Sequence, residues 1–211
     1  MPCALGVKRR AKFNATPLPC RYNRRVKWRR IIWLLIALCI LGLAAYLLSV
    51  SRQGKSFNPQ INAAAQRYNV DPLLVRAVIW EETRFHPNRR GKAGEIGLMQ
   101  IREPAALEWA GAEHVQNFSH EHCFDPGTNT LAGTFYLSRL LKRYAQTDDP
   151  VPYALADYNA GRGNLLKWNS GEAATNSAVF VQQIGFPGTR AYVNSIRRRY
   201  AFYKFLSRLG W

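Results

Sequence analysis

Acidic residues are scarce: the 211 residues include 30 Lys/Arg against 13 Asp/Glu. The first fifty contain no acid at all and ten of the bases, so they carry +10; residues 51–211 hold the other 20 bases and all 13 acids and carry +7 of the net +17. Most of the charge therefore sits in the first thirty residues. That crowding argues against a chain-wide cationic surface of the kind that binds nucleic acid, and no nucleic-acid partner is expected. Cysteine is also sparse, at Cys3, Cys20, Cys39 and Cys123, with no CxxC pair and no ligand spacing to His86, His114, His120 or His122. Neither a disulfide framework nor a zinc site is expected, and no cofactor is implied. The nearest approach to a metal cluster is His120-Glu121-His122-Cys123. Adjacent residues on a polar loop rarely converge on one ion, so a solvated loop is the simpler reading. Strict polar/apolar alternation over six or more residues is missing too, as are internal repeats and low-complexity tracts, which leaves a mainly α chain.

What is present first is an uninterrupted apolar run, Ile31 to Val50, without charge or proline. Twenty residues at about 1.5 Å rise per residue span roughly 30 Å, the thickness of a hydrocarbon core. Arg21, Arg24, Arg25, Lys27, Arg29 and Arg30 precede it, and only Arg52 and Lys55 follow closely. The positive-inside bias then puts the N-terminus in the cytoplasm and the remainder in the periplasm of a bacterial inner membrane. A cleaved signal peptide is the competing reading, with Gly42-Leu43-Ala44 as the small-residue site. Against it, the run exceeds the roughly 7 to 15 residues of a signal core and continues past Ala44. Cys39 follows a bulky Leu38 and reads as a helix residue, not a lipid acceptor. The basic segment has its own role as a topology signal that binds anionic headgroups. The organisation expected is a basic cytoplasmic segment 1–30, a transmembrane helix 31–50, a polar linker 51–60 and a folded domain 61–211.

Within that domain, Asp71-Pro72 starts a helix, with Asp71 as N-cap and Pro72 in the first helical position. Leu73 to Trp80 is apolar on nearly every side, broken only by Arg76, and reads as a central buried helix. Further helices are expected over 130–144, 152–159 and 192–209, separated by breaks at Asp125-Pro126-Gly127, Gly161-Arg162-Gly163 and Phe186-Pro187-Gly188.

Glu81 and Glu82 close the buried helix. Low dielectric and the negative end of the helix both disfavour an ionised carboxyl there, so its pKa should rise. A carboxyl that keeps its proton near neutral pH can deliver it to a leaving oxygen. The structural alternative is an ion pair with Arg84, Arg89 or Arg90, and periodicity does not choose between the two glutamates.

The neighbouring segments do choose. Glu82-Thr83-Arg84-Phe85-His86-Pro87, followed by Gly94-Glu95-Ile96-Gly97-Leu98-Met99-Gln100-Ile101, resembles two signature segments of the lytic transglycosylase family, Glu-Ser-x-Phe and Gly-x-x-Gly-Leu-Met-Gln. Asp125-Pro126-Gly127-Thr128-Asn129 with Tyr136-Leu137, then Ala154 to Gly161 with its Tyr158-Asn159-Ala160-Gly161, then Thr189-Arg190-Ala191-Tyr192-Val193, resemble its later motifs in order. The resemblance spans about residues 61–205 and implies a lysozyme-like, goose-type α domain acting on peptidoglycan strands.

Carried over position by position, the resemblance makes Glu82 the catalytic acid. Met99 and Gln100 would line the cleft, Tyr158 and Asn159 would face the sugar's N-acetyl group and the catalytic carboxyl, and Tyr192 would hold that carboxyl by a hydrogen bond. Each has a structural alternative: core filler for Met99, a packing role for Tyr192, a helix end for Asn159. The implied reaction uses one carboxyl where ordinary glycosidases use two. It ends in a 1,6-anhydro sugar without water. Thr83 stands where serine is usual and keeps the hydroxyl, while Gly188 stands where glutamate is frequent. Glu95 replaces a small residue, bringing a second carboxylate that pairs with an arginine or positions a water for lysozyme-type hydrolysis. A non-catalytic wall-binding scaffold is the alternative of another class. Assembly partners in the envelope are not specified by the sequence.

Overall fold

The computed structural model describes residues 24–209, and within its first helix the side chains of residues 28–43, 45 and 54 onward. Of the basic segment expected over 1–30, residues 1–23 lie outside the described residues. The chain divides into two compact units, Met1–Ala45 and Tyr46–Trp211. Helix α1, Arg24–Ser56, carries the apolar run as continuous helix. Trp33, Leu34, Leu38, Ile40 and Leu41 along it are all exposed. Among the described residues no helix is long and apolar enough to cross a membrane; the side chains of 46–50, the last part of the expected span, lie outside them. The stretch 51–60, read from composition as a linker, is helical on both sides of Phe57, because α2 follows at once as Asn58–Tyr68.

The second unit is built from α2 and the helices α3 (Pro72–Thr83), α4 (Glu103–Ala112), α5 (Pro126–Arg143), α6 (Pro150–Ala160), α7 (Arg162–Leu165), α8 (Ser177–Gln183) and α9 (Pro187–Arg208). Among the described residues pairing of extended backbone is limited to isolated bridges Arg90–Ile96 and Ile96–Ile101. The mainly α reading therefore stands, with more helix than the periodicity marked. Two proline sites read as breaks, Pro126 and Pro187, are helix starts, and so is Pro150. Pro126, Pro150 and Pro187 each occupy the first turn of a helix, where the missing N–H costs nothing. Asp71, Asp125 and Asp149 cap α3, α5 and α6 by accepting from Leu73, Thr128 and Val151 N–H at 2.8, 2.7 and 3.0 Å.

Burial follows sequence pattern closely in α3 and α6. Val75, Ala77, Val78 and Ile79 are fully enclosed, as is every residue from Pro152 to Asp157. α3 packs on α9, and α6 lies between α5 and α9. Arg76, the one break in the apolar ring of α3, has work there: its guanidinium donates to the Gly54 carbonyl at 3.2 Å and to Asn58, and stacks over Phe85 and Tyr203. These contacts hold the end of α1 and the start of α2 against α3, so the second unit begins earlier than residue 61.

Candidate active site

The C-terminal end of α3 faces a cleft of about 470 Å³ whose lining includes Glu82, Glu95, Gln100, Tyr136, Tyr158 and Asn159. Glu82 opens onto this cleft, whereas Glu81 lines a separate depression on the α9 side with Ser195 and Arg198. One residue of helix, about 100° of rotation, separates the two carboxylates. Glu81 accepts a hydrogen bond from the Ser195 hydroxyl at 2.6 Å, and Glu82 accepts one from the Tyr192 hydroxyl at 2.6 Å. The helix thus delivers two neighbouring glutamates to different surfaces, a distinction invisible to periodicity.

Glu82 keeps some surface in the cleft, but its carboxyl is enclosed by protein. That burial pushes its pKa up to about 7. The Tyr192 hydrogen bond works against the rise, the charges of Glu81 and Glu95 add to it, and Arg89 opposes it. The net result is a carboxyl that is largely protonated just below neutrality, the condition for a general acid. Among the described residues the ion pairs shown do not include Glu82: Arg90 pairs with Glu121 at 2.9 Å, Arg84 lies over the Trp80 ring, and Arg89 acts on Glu82 through its charge.

The other motif residues surround this group in different ways. Thr83 is buried, its hydroxyl donating to the carbonyls of Ile79 at 3.2 Å and Leu98 at 2.9 Å. It ties the helix end to the 94–101 loop and does not line the cleft. Met99, expected to line the cleft, is fully buried: Gly133 leaves room for its side chain, and the Thr134 hydroxyl reaches its sulfur. Its backbone carbonyl is what reaches the site, accepting from the Tyr158 hydroxyl at 2.8 Å. Gln100 does line the cleft, in a left-handed conformation with φ 46°. Its side-chain amide stabilises that backbone by donating to the carbonyls of Arg89 and Gly97 at 3.0 and 2.9 Å. Asn159 accepts from the Thr189 hydroxyl at 2.8 Å and so links α6 to α9 at the cleft edge.

Glu95 shares the cleft with Glu82, and its carboxylate accepts from the Ala93 N–H at 3.0 Å. The arginine pairing expected for it is absent from the ion pairs of the described residues. Gly91 makes its position possible, since a Cβ there would collide with the Glu95 carboxylate. The neighbouring loop is braced from behind by Asn129 of α5. Its side chain accepts from Met99 N–H at 2.7 Å and donates to the carbonyls of Ile96 and Cys123, each at 2.8 Å. Gly97, at φ 76°, lies so close that any Cβ would overlap Asn129. Sequence reading quoted Asn129 within a motif but assigned it nothing; the available signal was a lone amide at the start of an amphipathic helix. It also passed over Asp157, buried behind the cleft, where Arg143 and the Tyr144 hydroxyl donate to it at 2.8 and 2.7 Å.

The His120–Cys123 stretch engages separate partners. His120 lies 2.9 Å from the Ile101 carbonyl, Glu121 pairs with Arg90, and His122 accepts from Ser119 N–H. Cys123 is buried, which pushes its thiol up to about 12. Among the described residues no group of three His, Cys, Asp or Glu is arranged to hold a metal ion.

A family model described as the transglycosylase SLT domain matches residues 59–181. The chain is 34% identical over 112 residues to the membrane-bound lytic murein transglycosylase F of Desulfosudis oleivorans, covering 52% of this chain and 23% of that protein. It is 31% identical over 131 residues to the soluble lytic murein transglycosylase of Escherichia coli strain K12, covering 61% and 20%. The crystal structure of the 70 kDa soluble lytic transglycosylase from Escherichia coli superposes with a TM-score of 0.64 at 25% identity, covering 72% of this chain and 24% of that one. The chain accordingly spans about a quarter or less of the length of these relatives.

Proposed function

The chain belongs to the transglycosylase SLT domain family, and on that premise we propose that it is a peptidoglycan lytic transglycosylase. It cuts the β-1,4 bond between N-acetylmuramic acid and N-acetylglucosamine and leaves a 1,6-anhydro-N-acetylmuramic acid end. One observation carries the reading: a carboxyl group that burial raises to about pKa 7 at the edge of a cleft, hydrogen-bonded to a single tyrosine.

Glu82 acts first as acid, giving its proton to the bridging oxygen as the C1–O bond breaks. The carbonyl oxygen of the muramic acid's N-acetyl group bonds to C1 as the leaving sugar departs. Glu82, now a carboxylate, takes the proton of the C6 hydroxyl while O6 displaces the acetamido oxygen from C1. The proton borrowed in the first step is restored in the second, and no water is consumed. Tyr192 orients the carboxyl through both steps, and Gln100, Tyr158 and Asn159 form the sugar-facing wall, with Met99 and Thr83 holding that wall from behind.

Glu95 favours a second reading, because it brings another carboxylate into the same cleft. If it positions a water, the product is a reducing end, as in a lysozyme. Mass spectrometry of muropeptides released by the purified full chain separates the two. Anhydro products from wild type, little release by Glu82→Gln and unchanged products from Glu95→Gln are expected. Reducing-end products would replace the lyase by a hydrolase, equal wall clearing by Glu82→Gln would sink the catalytic assignment of Glu82, and no release by wild type would leave a binding scaffold.

The same proposal includes the anchor: residues 31–50 cross a bacterial inner membrane, residues 1–30 stay in the cytoplasm, and the domain works in the periplasm. Length and flanking charge of the run support it.

A further inference from the structure

The last acid in the chain is Glu172; after it come Arg190, Arg197, Arg198, Arg199, Lys204 and Arg208 with nothing to balance them. All six lie on α9. Arg199 is spent internally, its guanidinium lying over the Trp80 ring. Along the rest of the helix the exposed residues form a pattern. Phe202, Phe205 and Leu209 are each more than half exposed, and at 100° per residue they fall within about 60° of one another. Half-buried Arg197, Lys204 over the Tyr200 ring and exposed Arg208 flank that stripe on one side. A row of exposed aromatics edged by cations is the make-up of a helix that lies at a lipid interface.

The same turns of α9 are fixed within the second unit. Tyr203 packs under the Arg76 guanidinium, 5.7 Å from its ring centre, and Arg76 also donates to the Gly54 carbonyl. Gly54 lies four residues beyond Val50 on the same helix, about 6 Å of rise past the end of the apolar run. The C-terminal turns of α9 are therefore tied to the last turn of α1. We propose that the Phe202–Phe205–Leu209 face of α9 docks on an anionic lipid surface, its phenyl rings at the headgroup level and Arg197, Lys204 and Arg208 against lipid phosphates. The inference rests on the anchor reading for its location but not for its chemistry.

The test is amide hydrogen exchange over 197–209 in the full chain, reconstituted into phosphatidylcholine vesicles with and without phosphatidylglycerol. Exchange is expected to slow about a hundredfold in the anionic vesicles, as three cations near the surface would give, and the protection should be lost in high salt and in Phe202→Ser/Phe205→Ser. Both positions are exposed, and unchanged exchange in α3 verifies that the variant is folded. Equal exchange in the two vesicle types with the chain still embedded overturns this inference alone, as does protection by added soluble glycan strands in place of lipid. Release of the chain by alkaline carbonate overturns the anchor; the docking face then stands only if anionic protection persists.

Discussion

At the scale of single residues, the proposed chemistry turns on where Glu82 keeps its proton. The acid form prevails below about pH 7, so kcat/KM should fall on the alkaline side with an apparent pKa near that value in a pH–rate profile. Tyr192 donates to the ionised form and thereby pulls the pKa down. Tyr192→Phe should therefore move the alkaline limb to higher pH while lowering kcat about tenfold, since the acid loses its orientation. A merely structural tyrosine would lower stability and leave the limb in place. Glu82→Gln should cost about a thousandfold in kcat. It has a second expected effect, on stability. A carboxyl whose pKa is raised by folding favours the folded state below its unfolded value near 4.5 and loses that contribution as pH rises through about 7. The amide carries no such penalty, so the variant should be more stable than wild type at pH 8 by on the order of 2 kcal/mol, with the gap closing below pH 5 in thermal melts.

Elements hold that carboxyl in place through contacts that the sequence makes only partly visible. The helix carrying it was legible because Asp71, Pro72 and an all-round apolar segment state cap, start and burial in order. The central α6 was legible over 152–159 from its helical habit, without its cap Asp149 and its start Pro150. What remained hidden were short-range choices with a tertiary cause. Pro126 and Pro187 punctuate equally well as breaks and as first-turn residues, and only the chain that follows decides. Met99 and Thr83 stand in signature segments, yet packing turns their side chains inward to Gly133 and Leu98, so a motif position did not specify a cleft-facing side chain. The loop over 94–101 depends on one amide: Asn129→Ala would remove the partner of the Met99 N–H and the Cys123 carbonyl and leave the Ile96 carbonyl with the Ile101 N–H alone. A cost of about 2–3 kcal/mol in chemical denaturation is expected. Because that loop carries Gln100 and Glu95, KM for glycan strands should rise in the same variant, whereas a substitution at exposed Lys142 should leave KM unchanged.

For the whole molecule, charge and hydropathy are divided by position along the chain, and each part has its own physical task. The six bases Arg21, Arg24, Arg25, Lys27, Arg29 and Arg30 precede the apolar run without one acid, while Arg52 and Lys55 follow it. If that asymmetry sets the orientation, the domain's delivery to the periplasm depends on residues that never approach the cleft. Replacing those six with glutamine removes most of the bias that retains the N-terminus in the cytoplasm. Protease added to spheroplasts should digest a C-terminal tag on the wild-type chain and spare a growing share of it in the variant, with wall-clearing activity in cells falling in proportion. Activity of the two purified chains on isolated peptidoglycan should remain equal, since Glu82, Tyr192 and the α9 face are untouched. Unchanged protease access in the variant would mean that the run is positioned by something other than its flanking charge.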